Sequence, residues 1–179
     1  GAPYREALAV MDEQVREVVE AFLERNPGAL VLVAADHGAT ATGTHGGGET
    51  DARRTPFALV GTGVRRVGPV EISQYALAPT IAALCGLPMP PLADAPPAPE
   101  VLDLPPDRVI QALDSYVQAR LAVARSLGSE AADPIERRRA EVTIRRMVGE
   151  TGEPYRRLAE DLNRVLNPSG ALPALLALV

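Results

Sequence analysis

Residues 29–56 read ALVLVAADHGATATGTHGGGETDARRTP, and the fold class turns on how this stretch is taken. It opens with seven apolar residues, Ala29 to Ala35, without a polar interruption. A short, unbroken apolar run rich in β-branched residues predicts a strand buried on both faces of a parallel sheet. Asp36, His37 and Gly38 follow at once, then a threonine-rich loop, His45 and the glycines Gly46, Gly47 and Gly48. In open α/β sheets ligands and reactive groups gather at the carboxyl ends of strands, which is where Asp36 and His37 would stand. The chain has only two histidines, and both lie in this loop.

Working outward, the strand is fed by a helix over residues 4–25. Leu8, Met11, Val15, Val18 and Phe22 recur at three- and four-residue steps and draw one apolar stripe. Asn26-Pro27-Gly28 stops it. After the loop, Pro56 to Gly61 predicts a second short buried strand, and Val64 to Val67 an edge segment or a turn. Ile72 to Cys85 predicts a helix with Ser73 as its N-cap and Pro79 in its first turn. From Gly86 to Asp107 stand eight of the 17 prolines, the composition of a stiff linker or a surface-wrapping arm.

Beyond that stretch the pattern is helical only. Val109, Leu113, Tyr116, Val117, Leu121 and Ala124 mark one amphipathic helix, Asp133-Pro134-Ile135-Glu136 starts a second, and Tyr155, Leu158, Leu162, Val165 and Leu166 mark a third. Such stripes are packing surfaces and carry no chemistry of their own. The nine apolar residues at 171–179 are far short of the ~20 that cross a bilayer, and suit either a docked tail or the first turns of a longer membrane helix. The expected organisation is an α/β unit over 1–91, a proline-rich linker over 92–107, a helical appendage over 108–170 and an apolar tail over 171–179.

A length of 179 residues is enough for a real core. The net charge of −5 argues against a general nucleic-acid binder, whose affinity rests on basic side chains facing phosphates. Every basic residue is arginine. The single cysteine, Cys85, permits no internal disulfide and reads as an inert core thiol.

Asp36, His37 and His45 together have the donor types of a divalent-metal site: zinc takes nitrogen and carboxylate oxygen equally, and manganese suits them too. Neighbouring side chains on a strand point oppositely, so Asp36 and His37 share an ion only where the backbone turns, and Gly38 permits that turn. Gly46 and Gly47 let backbone amides approach an anion, and Arg53 and Arg54 bring charge toward a phosphate or simply stand in solvent. The bland alternative is a hydrogen-bonded turn without metal.

The order Asp36-His37-Gly38, then Gly43-Thr44-His45-Gly46-Gly47, resembles the metal-binding segment of the alkaline-phosphatase superfamily. It is most similar to the type I phosphodiesterase/nucleotide pyrophosphatase and GPI ethanolamine-phosphate transferase branches. The resemblance continues through Thr55-Pro56, Gly61-Thr62-Gly63-Val64, Ile72-Ser73-Gln74, Ala78-Pro79-Thr80-Ile81 and Leu87-Pro88-Met89-Pro90. With the Met11-Asp12 helix upstream, it covers residues 3–91. The Ser-Gln, Pro-Thr and Gly-Leu-Pro-Met-Pro series leans toward the ethanolamine-phosphate transferases.

What the resemblance implies is the C-terminal part of an alkaline-phosphatase-like parallel-sheet domain and a two-metal phosphoryl-transfer site, with Zn, or Mn, as the ions. Asp36 and His37 would hold the first ion and His45 the second. The family's Thr or Ser nucleophile and its remaining ligands lie upstream of the helix at 4–25. This chain would therefore need a missing N-terminal half, in its parent polypeptide or a second chain, and would be inactive alone. The resemblance also implies a phosphate-ester substrate and an extracytoplasmic or membrane-associated setting. Two competitors stand beside it: a non-catalytic phosphatase-like module whose helical tail serves assembly or membrane docking, and a sulfatase-like hydrolase. The latter usually places a lysine near its substrate, and this chain has none.

Overall fold

A computed structural model describes residues 2–40, 42, 43, 49–130, 132–147, 153–166 and 175–178. Helix α1 (Ala2–Arg25) ends where Asn26 bonds back to the carbonyl of Phe22 through both its amide and its side chain, each at 3.0 Å. A tight turn, with the Ala29 amide on the Asn26 carbonyl at 3.0 Å, leads into strand β1 (Val31–Ala34). A four-residue helix α2 (Thr50–Arg53) precedes β2 (Arg54–Val60), and β3 (Glu71–Ser73) leads through a 3-10 turn into α3 (Leu77–Cys85). Helices α4 (Pro106–Ser126), α5 (Ala132–Met147) and α6 (Glu153–Leu166) follow, and β4 (Leu175–Leu178) completes the order.

The four strands form one mixed sheet in the order β1-β2-β4-β3. This corrects the expected parallel sheet with a central, doubly buried first strand. Among the described residues β1 is an edge strand, antiparallel to β2 with Val31 opposite Val60 and Ala34 opposite Phe57. β3 is antiparallel to β4, and only β2 and β4 run parallel. The reason is local: the loop after β1 and helix α2 bring the chain straight back, so its next strand returns alongside β1. An alkaline-phosphatase-type fold is not shown by this sheet. β2 alternates buried and exposed along its length, burying Thr55, Phe57 and Leu59, as a strand does when one face is covered. β1 lacks that cover: Val31 and Leu32 are half-buried, and Val33 and Ala34 are exposed.

The helix foreseen from Ile72 to Cys85 begins only at Leu77. Ser73 is a cap, but of the 3-10 turn, accepting from the Tyr75 amide at 3.3 Å. Pro79 falls in the first turn of α3, where its missing amide costs nothing, and Gly86 ends the helix in the left-handed conformation at φ 66°. Cys85 is exposed, not a core thiol.

Two larger apolar centres form among the described residues, with two smaller clusters beside them. One lies under the sheet, where Phe57, Leu59, Ile72 and Ala76 meet Ala98 and Val101. The other joins α4, α5 and α6 through Tyr116, Val117, Leu121, Ile135, Leu158 and Leu162. The proline-rich stretch connects them as a packed arm. Ala98, Val101 and Leu102 are buried, and Val64 forms an isolated bridge with Leu102. The arm is tied down by polar groups: the Ala98 amide donates to Thr80 Oγ1 at 2.8 Å and Tyr116 Oη to the Ala93 carbonyl at 3.0 Å. The buried Arg120 donates to the Pro91 carbonyl at 3.2 Å and reaches Asp94 at 3.4 Å. Among the described residues no helix is long and apolar enough to cross a membrane.

Candidate functional site

The sheet brings three strand ends to one edge. The carboxyl end of β1, the start of β2 and the carboxyl end of β3 share it, because Arg54 and Ser73 both stand opposite Leu175 of β4. Asp36 lies on this edge at a bend, two residues past the end of β1.

The local geometry follows from short-range donors and acceptors. The His37 amide donates to Asp36 Oδ1 at 3.0 Å. His37 Nδ1 lies 2.9 Å from the Gly38 carbonyl, which can only accept, so Nδ1 carries the proton and Nε2 keeps its lone pair. Nε2 faces Asp36 Oδ2 at 3.7 Å. Two ligands of one tetrahedral cation, with bonds near 2.1 Å, sit about 3.4 Å apart, so this pair fits one ion with little adjustment. An imidazole whose other nitrogen is held by a carbonyl is also the usual arrangement around a bound metal. The Asp36 side chain is 89% exposed and that of His37 46%, so both are open to an incoming ion.

Gly38 is sterically required. Its amide donates to the Ala52 carbonyl at 2.9 Å, and an added Cβ would stand 1.9 Å from the Asp51 carbonyl oxygen and 2.6 Å from that of Arg54. α2 thus lies directly against the loop that presents Asp36 and His37. From the other side, Gln74 Nε2 donates to the Asp36 carbonyl at 3.1 Å and approaches the Ala35 carbonyl at 3.4 Å. Gln74 is the positioning residue that sequence reasoning missed. Its only prior signal was its place beside Ser73 in a recurring pair, and nothing local links it to a loop 38 residues away.

The remaining sequence candidates divide. His45, Gly46 and Gly47 lie outside the described residues. Arg54 pairs with Glu71 across the sheet, which commits its guanidinium to a carboxylate, while Arg53 is half-buried at the end of α2. Among the described residues no cluster of three metal-ligating side chains forms. Among the described residues Asp36 and His37 therefore offer two donors, and a metal site built on them would need others.

No family model matches the chain, and no solved structure matches it. Over 94 residues it is 36% identical to GPI ethanolamine phosphate transferase 3, catalytic subunit, of Homo sapiens, covering 49% of this chain and 9% of that protein. Its identity to the same-named protein of Mus musculus is 35% over 94 residues, with the same coverage. The chain thus spans about a tenth of the length of these relatives. The similarity to these two catalytic subunits covers about half of this chain.

Proposed function

We propose that this chain is part of a metal-dependent phosphotransferase of the phosphoethanolamine-transferase or phosphodiesterase type. The observation that carries this is the Asp36–His37 corner, set 3.7 Å apart at a strand end with the imidazole tautomer fixed for coordination. Asp36 and His37 would hold one divalent ion, zinc or manganese, and His45 a second. Such ions neutralise charge on a phosphate ester and lower the pKa of a bound hydroxyl or water. The chain's own residues supply orientation: Gly38 and Gln74 fix the backbone on either side of the corner, and the Gly38 carbonyl keeps the His37 proton on Nδ1. The hydroxyl nucleophile and further ligands come from a segment outside this chain, and the substrate is a phosphate ester in an extracytoplasmic or membrane-associated setting. The similarity to phosphoethanolamine transferase subunits supports the reaction class.

A second reading, a non-catalytic phosphatase-like module, is favoured by the corner's having only two ligands among the described residues. The two separate by experiment. In the parent polypeptide, metal content by mass spectrometry and cleavage of a chromogenic phosphodiester are measured for the native protein, His37→Ala and His45→Ala. Loss of one ion per substitution and loss of turnover in both support the enzyme. A parent with no bound metal and no turnover overturns it in favour of the module.

A further inference from the structure

Away from Asp36 and His37, a cavity of about 530 Å³ opens where β2 ends. Val60 stands opposite Val31, five residues before Asp36, so the cavity lies at the other end of the sheet, roughly 15 Å from Asp36 along β1. Its apolar walls are Pro27 from the turn after α1, Val60 from β2, and Val64 and Val67 from the segment that follows. Val60 is 50% exposed and Val67 38%, so apolar surface meets solvent here. Arg65 and Arg66 stand among these walls, and none of the ten lining residues is acidic.

The chain carries a net charge of −5 and elsewhere commits its arginines to carboxylates: Arg16, Arg54, Arg120, Arg139 and Arg156 each sit on one. Among the described residues Arg65 and Arg66 have no such partner. Two neighbouring guanidiniums repel each other, and an anion between them replaces that repulsion with attraction. The frame that presents them is already fixed. The Arg65 amide donates to the Val101 carbonyl at 2.9 Å and the Asp103 amide to the Gly63 carbonyl at 2.7 Å, with the Val64–Leu102 bridge between these bonds. Val101 and Leu102 are buried, so the segment is clamped to the packed arm, and little ordering remains to oppose binding.

From this cavity we infer a second ligand site, for a phosphate monoester that carries an apolar group. Its dianionic head lies between Arg65 and Arg66, and its apolar part lies against Pro27, Val60 and Val67. The arginine fork matches phosphate oxygens in pairs. Two guanidiniums balance a dianion, whereas a carboxylate or a sulfate ester, with one charge, leaves one of them unbalanced. The volume suits a small ester or a single lipid headgroup. The site uses neither Asp36 nor His37, so it stands or falls independently of the functional reading above.

The test titrates the ¹⁵N-labelled 179-residue chain with phenyl phosphate at about pH 7.5, where the ester is a dianion, in low salt with EDTA so that no metal bridge forms. Saturable shifts are expected at the amides of Val60 to Val67 and at the Nε of Arg65 and Arg66. Phenyl sulfate, a monoanion of the same shape, should bind about fivefold more weakly or worse, and Arg65→Gln and Arg66→Gln should each weaken phenyl phosphate by about tenfold. Both side chains are exposed and the Arg65 amide keeps its bond, so the far-ultraviolet circular dichroism of both variants should match the native chain. Arg137→Gln, at an exposed arginine of α5, should bind like the native chain. Flotation with phosphatidylcholine vesicles containing phosphatidic acid separates the two sources of such an ester. Flotation reversed by phenyl phosphate assigns a membrane lipid, and saturable binding of phenyl phosphate without flotation assigns a soluble ester. The absence of a saturable shift up to about 10 mM, equal affinity for phenyl sulfate, shifts centred elsewhere, or binding indifferent to both arginine substitutions overturns the inference.

Discussion

Replacing Gly38 by alanine tests how the Asp36–His37 corner is held. The new Cβ would lie 1.9 Å from the Asp51 carbonyl oxygen and 2.6 Å from that of Arg54, where real Cβ contacts do not fall below 3.0 Å. Both obstacles are backbone, so no rotamer change relieves them, and the loop must move by about 1 Å relative to α2 and the start of β2. That shift breaks the 2.9 Å bond from the Gly38 amide to the Ala52 carbonyl. A lost backbone hydrogen bond costs about 1 kcal/mol and an overpacked site about 1–3 kcal/mol, so the variant should lose about 2–4 kcal/mol. Urea unfolding at 25 °C, followed by circular dichroism, measures this as a fall in midpoint at unchanged slope. Gly28→Ala is the control: nothing lies within 4 Å of its Cβ position, and its stability should change by no more than about 0.5 kcal/mol. A Gly38→Ala chain as stable as Gly28→Ala would show that α2 does not press on the loop, and the account of how the corner is positioned would fall with it.

The packed arm gives three further tests. Thr80→Val removes the acceptor of the buried Ala98 amide and should cost about 1–3 kcal/mol in the same urea experiment; Thr80→Ser, which keeps the hydroxyl, should recover part of it. Arg120 is buried and its Nε has no hydrogen-bond partner among the described residues, so Arg120→Met, which keeps the packed stem, should be more stable than Arg120→Ala by about 2 kcal/mol; equal stabilities would refute a packing role for that stem. Burial pushes the Tyr116 hydroxyl well above the ordinary tyrosine value, so the folded state holds that proton more tightly than the unfolded chain does. Its contribution is complete below pH about 10 and is lost as the pH rises beyond that, so unfolding midpoints should fall there in the native chain and less steeply in Tyr116→Phe.

Helix α4 was legible because its sequence writes the packing face in full. In α4, Leu113, Tyr116, Val117, Leu121 and Ala124 appear in sequence at helical steps and are all buried together. Arg120 shares that face and was passed over, since a charge is normally assigned to solvent; only the carbonyl of Pro91 and the carboxylate of Asp94, both on the arm, make its burial tolerable. β3 was missed because Glu71-Ile72-Ser73 is too short to show a period, and its pairing partner lies a hundred residues on, at Leu175 to Ala177. At the candidate site, Asp36 and His37 were legible as chemistry. What fixes them was not, since Gln74 and the α2 carbonyls reach the loop from segments far along the chain.

The composition of β1 and its place in the sheet disagree, and the disagreement is informative. Residues 29–35 have the apolar continuity of a central strand, while the described sheet gives β1 one neighbour and leaves Val33 43% exposed. Propensity overridden by tertiary context would explain an edge strand that alternates polar and apolar residues, but β1 does not alternate. Among the described residues the open edge of β1, the exposed stripe of α1 and the Asp36–His37 pair all fall within residues 8–37, so the stretch richest in apolar pattern is also the one this fold covers least.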